Sequence, residues 1–187
     1  MKVLLFSGSL RADSLNKKLI NSASAIISKE LGCAPEIVDI KSLSIPVYDG
    51  DIEQQSGLPQ GVVSLGQSIK NANALIISSP EYNGSIAGSL KNAIDWISRI
   101  KPVPFDGKPL LLMGASPGYF GAIRALGFTK PPFEALGSFV YPQTFALPKA
   151  SEMFSATGEL TDASTHAKLQ TLLTNYIQFS KKLNVKS

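Results

Sequence analysis

Two stretches of this chain concentrate side chains able to do chemistry. The first, Ser7-Gly8-Ser9-Leu10-Arg11-Ala12-Asp13-Ser14-Leu15-Asn16, follows the apolar run Val3-Leu4-Leu5-Phe6. It feeds a segment in which Leu15, Leu19, Ile20, Ala23 and Ile26/Ile27 recur at helical spacing. A loop that leaves a buried strand and opens a helix presents unpaired N–H groups at the positive end of a dipole, which makes an anion site. Ser9, Ser14 and Asn16 add neutral donors, and Arg11 adds a planar charged fork suited to phosphate. Capping of the helix by Ser14 or Asp13 accounts for one polar group and leaves Ser9, Arg11 and Asn16 unexplained. The loop is neither G-x-x-x-x-G-K-[ST] nor G-x-G-x-x-G, so neither an NTPase P-loop nor a dinucleotide fingerprint is supported.

The second stretch, Pro80-Glu81-Tyr82-Asn83-Gly84-Ser85, lies between the apolar run 74–79 and a segment from about Gly88 with Leu90, Ala93, Ile94 and Ile97 at helical spacing. In an open α/β sheet, a loop at the carboxyl end of a strand is where ligands bind. Tyr82 offers a flat wall, and Gly84 and Gly88 let backbone groups come close. A third loop, Gly114-Ala115-Ser116-Pro117-Gly118-Tyr119-Phe120-Gly121, again joins a strand to a helix. A plain Gly-rich turn and a further wall of the same site are both open for it.

These loops need a scaffold, and hydrophobic runs of strand length alternate with helical segments along the chain. Strands are expected over residues 2–7, 36–40, 74–79 and 109–115, with a fifth beginning at 139–141. Helices are expected over 15–30, 59–72, 89–100 and 162–183, with a Pro/Gly/Asp-rich connection over 42–57. Another helix starts at Gly118 and runs to about Leu126; the Pro131-Pro132 pair must interrupt it before it resumes over 133–136. Five alternations predict one domain over 1–187, an α/β three-layer sandwich with a five-stranded parallel sheet. The flavodoxin-like order 2-1-3-4-5 suits this length and crowds the loops after strands one, three and four together.

Composition narrows the function. At 187 residues with 44% apolar and 17% charged residues, the chain is an ordinary globular domain. Eighteen basic against 14 acidic residues give +4, and the charges are scattered. Lys181, Lys182 and Lys186 form the basic cluster, at the end of the last helix, where they complement its dipole. No basic stripe interleaved with aromatics points to nucleic acid. One cysteine, Cys33, and one histidine, His166, exclude an internal disulfide and a Cys/His zinc site. No apolar run reaches the roughly 18 residues that span a membrane, and residues 3–6 are too short an apolar segment for a secretory signal. A cytoplasmic location is expected.

GSLRADSLN, followed by SSPEYNGSIAGSLKNAIDWIS, resembles the paired signature of the NADPH-dependent FMN reductase family, flavodoxin-like NAD(P)H-dependent quinone, chromate and azo reductases. Leu43-Ser44-Ile45-Pro46-Val47-Tyr48-Asp49 is similar to that family's loop after strand two, and the likeness fades after Ala125. The resemblance implies that Ser9, Arg11, Ser14 and Asn16, with the Leu15 amide, hold the phosphate of FMN. It implies that Pro80, Glu81, Tyr82, Asn83, Gly84 and Ser85 line the flavin ring. Ser116 and Gly118 would lie near its pyrimidine side, with the following helix aimed at that edge; many relatives carry a Gly pair where this chain has Gly121-Ala122. Asn92 and Asp95 are expected to be structural and Trp96 to pack. The implied activity is hydride transfer from NADPH or NADH through FMN to a quinone, azo compound, chromate or flavin, in ping-pong fashion, with no catalytic side chain and no metal. A homodimer or homotetramer is implied too, and Tyr119, Phe120, Phe128 and Phe133 suit either its interface or the core. The rivals are a flavodoxin-type electron carrier, against which the basic charge and Arg11 argue, and a flavin-free interaction protein.

Overall fold

The central strands are covered on both faces, so they read as unbroken apolar runs, and alternate side chains enter two different cores. A computed structural model describes residues 1–184. Its elements are β1 (Lys2–Ser7), α1 (Leu15–Lys29), β2 (Ala34–Val38), α2 (Gly50–Ser56), α3 (Gln60–Asn71), β3 (Ala74–Ser78), β4 (Glu81–Tyr82), β5 (Ser85–Ile86), α4 (Gly88–Ile97), β6 (Pro109–Ala115), α5 (Ile123–Ala135), β7 (Phe139–Val140), β8 (Phe145–Leu147) and α6 (Ala163–Asn184), with a 3-10 turn at Ala150–Glu152. Val3, Leu5, Ile76 and Met113 face α1 and α6, whose Leu19, Ile20, Leu169 and Leu173 are buried against them. Leu4, Phe6, Ile77 and Leu112 face the other way, onto Val62 and Leu65 of α3, Leu90 and Trp96 of α4, and Phe133 of α5.

The sheet runs β2-β1-β3-β6-β7, all parallel, and β8 continues along the edge of β6 that β7 begins. The expected order 2-1-3-4-5 stands, with the fifth strand split by Pro142. That order gathers the loops after β1, β3 and β6 at one end.

Four local expectations need correction. The second strand lies at Ala34–Val38, because Ala34 N–H bonds the Met1 carbonyl at 3.0 Å and sets the register Lys2↔Ala34; Ile40 is buried, but from the turn that follows. The 42–57 connection contains α2, which buries no side chain and so has no apolar stripe; Asp49 caps its start and Gly57, at φ 72°, ends it. The Pro80 loop contains the β4–β5 hairpin. Finally, α5 runs straight through Pro131 and Pro132. The carbonyls deprived of a partner belong to Gly127 and Phe128, both exposed, so water can satisfy them. Phe133, fully buried and edge-on to Phe105 at 5.0 Å, anchors the end of the helix. Of the basic cluster, Lys181 and Lys182 are exposed and Lys186 lies outside the described residues. His166 is half-buried on α6, and no described helix is long and apolar enough to cross a membrane.

At the end of the sheet away from these loops, one side chain joins two strands. Tyr176 of α6 is fully buried, and its hydroxyl lies 2.7 Å from the Leu75 carbonyl, 2.9 Å from that of Pro109 and 3.1 Å from the Leu75 N–H. Burial pushes its pKa up, so it stays a neutral donor. Tyr176→Phe should cost about 1–3 kcal/mol, the penalty for leaving buried partners short of a bond. That corresponds to a melting temperature lower by about 2–12 °C for a chain of this size, read by calorimetry. An unchanged melt would show that the hydroxyl contributes nothing net.

Candidate active site

The loops after β1, β3 and β6 enclose a cavity of about 300 Å³. Ser9, Arg11, Ser14, Leu15, Asn16, Pro80, Glu81, Tyr82 and Ser116 all line it. Asn83, Gly84, Ser85 and Gly118 do not. Asp13, Lys18, Ala115, Pro117 and Ser151 complete the wall; Ser151 comes from the 3-10 turn, 35 residues beyond Ser116, where sequence reading had no motif to mark it.

In the first loop Ser14 is the N-cap of α1. Its Oγ accepts from Lys17 N–H at 3.4 Å and its carbonyl from Lys18 N–H at 3.0 Å. The N–H groups of Leu15 and Asn16 come before any intrahelical partner and remain available at the helix N-terminus. Ser9 Oγ accepts from Arg11 N–H at 3.3 Å. Both serine oxygens therefore act as acceptors within the protein and keep an O–H to donate. Both serines are buried. Arg11 is exposed and has no ion-pair partner among the described residues. Asp13 pairs with Lys18 at 2.7 Å, and that hydrogen-bonded ammonium holds its carboxyl below the usual range.

The second loop folds as a hairpin with Glu81 opposite Ile86 and Tyr82 opposite Ser85. Asn83 and Gly84 have φ of 52° and 73°, the two positive values of a type I′ turn. The Asn-Gly dipeptide is the strongest local sequence sign of such a turn, and it was available. Asn83, Gly84 and Ser85 shape this hairpin rather than the cavity wall, while Tyr82 stays 48% exposed at the mouth. An added Cβ at Gly88 would meet no protein atom within 4 Å, and Gly88 does not line the cavity.

Glu81 turns away from chemistry. Its side chain is 8% exposed, accepts from Arg124 Nε at 2.7 Å and from Ala125 N–H at 3.2 Å, and so sits at the positive end of α5. Burial pushes its pKa up, but Arg124 and the Ala125 N–H outweigh burial and hold the carboxyl below the usual glutamate value. The N-terminus of α5 thus carries a protein carboxylate on its Ala125 N–H. Glu81→Gln should cost about 1–2 kcal/mol at neutral pH, at the low end for a charged hydrogen bond because Arg124 is largely exposed. The carboxylate's contribution is present above its unfolded pKa, about 4.3, and is lost as pH falls through the lowered folded value. Urea titrations from about pH 7 to about pH 3 should show the variant losing less stability on the acid side; parallel curves would refute this.

In the third loop Gly121 and Ala122 both have positive φ, 59° and 72°. A Cβ on Gly121 would lie 2.6 Å from the Pro148 nitrogen. Gly114 leaves room for the Ala122 methyl: a Cβ there would come within 2.9 Å of it. Gly118 supports the loop through its carbonyl, which accepts from Lys149 N–H at 3.1 Å. Tyr119, Phe120 and Phe128 are exposed at 78%, 57% and 60%, while Phe133 is in the core. Arg124 lies 5.2 Å over the Phe120 ring.

Helix α4 ties the loop after β2 to this end of the sheet. Asn92 accepts from Tyr48 N–H and donates to the Pro46 carbonyl, both at 2.8 Å, and Trp96 Nε1 donates to the same carbonyl at 2.9 Å. Asp95 pairs with Lys91 at 2.7 Å on the helix surface.

Residues 1–152 match the profile described as NADPH-dependent FMN reductase. A quinone reductase of Escherichia coli (strain K12) is 33% identical over 189 residues, covering 99% of this chain and 98% of its own. An NAD(P)H-dependent FMN reductase of Pseudomonas aeruginosa is 38% identical over 173 residues, 91% of this chain and 90% of the relative. The solved structure of FerB, a flavoenzyme NAD(P)H:(acceptor) oxidoreductase from Paracoccus denitrificans, superposes with a TM-score of 0.81 at 29% identity, covering 97% of each chain. The likeness therefore extends well beyond Ala125, where it was expected to fade.

Proposed function

The chain belongs to the NADPH-dependent FMN reductase family, and we propose that it is an FMN-dependent NAD(P)H oxidoreductase acting on small-molecule acceptors of the quinone class. What supports this is one cavity that brings Ser9, Arg11, Ser14 and the N-terminus of α1 together with Tyr82. The residues fit FMN. The free N–H groups of Leu15 and Asn16, the hydroxyls of Ser9 and Ser14 and the unpaired Arg11 supply donors for a phosphate dianion. Pro80, Tyr82 and Ser116 supply a surface for a flat ring, with the Glu81 backbone beside it. Asn83, Gly84, Ser85 and Gly118 hold the shape of those walls.

FMN, when bound, supplies the hydride and electron chemistry. The chain's own residues bind and orient. Of the carboxylates on the cavity, Glu81 is engaged by Arg124 and Asp13 by Lys18, so neither stands free as a base. The half-exposed Tyr82 leaves the mouth open to a nicotinamide and then to an acceptor in turn. The exposed face of Tyr119, Phe120 and Phe128 supports assembly into a homodimer or homotetramer, which light scattering would read directly.

The test is to saturate the purified protein with FMN, record the visible spectrum and follow NADPH and NADH consumption with benzoquinone and no partner reductase. A yellow protein with sustained turnover is expected. A protein that takes up no FMN, or binds it without turnover as a carrier would, overturns the reading.

A further inference from the structure

We infer that Asn16 is a positioning residue: its side chain locks the three loops of the cavity together and leaves phosphate recognition to its own N–H and its neighbours. The inference rests on the FMN reading above. Asn16 is 4% exposed in the first turn of α1. Its Oδ1 accepts from Ser78 Oγ at 2.7 Å and from Ala115 N–H at 2.9 Å, while its Nδ2 donates to the Ala115 carbonyl at 2.9 Å. The orientation of the amide is dictated by these partners, since a flipped amide would set its NH₂ against the Ala115 N–H.

Three elements meet at this one group. Ser78 ends β3 two residues before Pro80, and Ala115 ends β6 one residue before Ser116. Asn16 therefore fastens the helix N-terminus to the roots of both remaining walls. Both lone pairs of its oxygen are used, and only one amide hydrogen is left over. A side chain with three of its four bonds made inside the protein holds the walls at a fixed spacing, and preorganised walls bind more tightly than walls that must first be gathered.

Phosphate recognition and wall positioning separate when FMN is compared with riboflavin, which has the ring without the phosphate. Fluorescence titration of the full chain at a temperature well below its melt should show Asn16→Ala weakening both flavins by a common factor of about tenfold. It should also broaden or shift the visible band of whatever flavin remains bound. Ser78→Ala, which removes one of the three bonds at a residue that does not line the cavity, should weaken both by a smaller common factor, about threefold. It decides alone if Asn16→Ala does not fold. Loss confined to FMN would make the side chain a phosphate ligand and overturn the inference. A lower melting temperature with both affinities unchanged would make the residue merely structural and overturn it equally. A wild type that binds neither flavin defeats the FMN reading and this inference together, and shows itself before any substitution is made.

Discussion

Replacing Arg11 by alanine should weaken FMN binding about tenfold to a hundredfold and leave riboflavin binding unchanged. A hydrogen bond to a charged group is worth about 1.5–3 kcal/mol, and each 1.4 kcal/mol is about tenfold in affinity. Among the described residues, Arg11 is the one cation on the cavity without an acidic partner: Lys18 is engaged by Asp13, and Arg124 lies behind Glu81. The first loop thus offers one free positive charge to a dianion, and removing it leaves only neutral donors. Salt should erode the difference, since Arg11 is exposed and its field is screened over about 10 Å at 0.1 M. Arg11→Lys should fall between, because a point charge replaces a two-pronged fork. The comparison with Asn16 is informative: Arg11→Ala separates the two flavins, whereas Asn16→Ala does not. Equal loss of both flavins in Arg11→Ala would mean that the guanidinium supports the ring side of the cavity, and the phosphate assignment would fall.

The contrast between these residues also marks what could be read in advance. The central strands were legible because burial on both faces leaves a run of apolar letters, as in Leu110-Leu111-Leu112-Met113. Elements that bury nothing leave no such trace: α2 is announced by Asp49 and Gly57 alone, and the β4–β5 hairpin by Asn83-Gly84. The prolines of α5 misled because a local rule was outweighed by Phe133 packing into the core. At the site, the polar letters and their loops were legible, and nine of the thirteen expected residues do line one cavity. What those polar groups face was not. Asn16 finds its partners 62 and 99 residues away, and Glu81 finds Arg124 at a separation of 43. Only the folded sheet brings them together, Asn16 onto the ends of β3 and β6 and Glu81 onto the N-terminus of α5.

Trp96→Ala should produce the largest loss of stability, about 3–5 kcal/mol, the range for deleting a fully buried large aromatic. For a chain of this size that is a melting temperature lower by about 6–20 °C. Trp96 is wholly inaccessible to solvent in α4. Its indole meets Tyr48 edge-on at 4.9 Å between ring centres, and its Nε1 holds the Pro46 carbonyl. Tyr48 in turn donates to Glu53 at 2.9 Å, and Arg99 holds the same carboxylate. Deleting the indole therefore opens a cavity and loosens the connection from Pro46 into α2. Trp96→Phe should cost less, because the Pro46 carbonyl keeps its bond from Asn92 Nδ2 and much of the apolar contact remains. Trp96 does not line the cavity, so below the melt the phenylalanine variant should bind FMN as the parent does and show the same visible band. That outcome separates packing from flavin contact. A shifted band in Trp96→Phe would place the indole against the ring, and a Trp96→Ala protein that melts with the parent would remove it from the core.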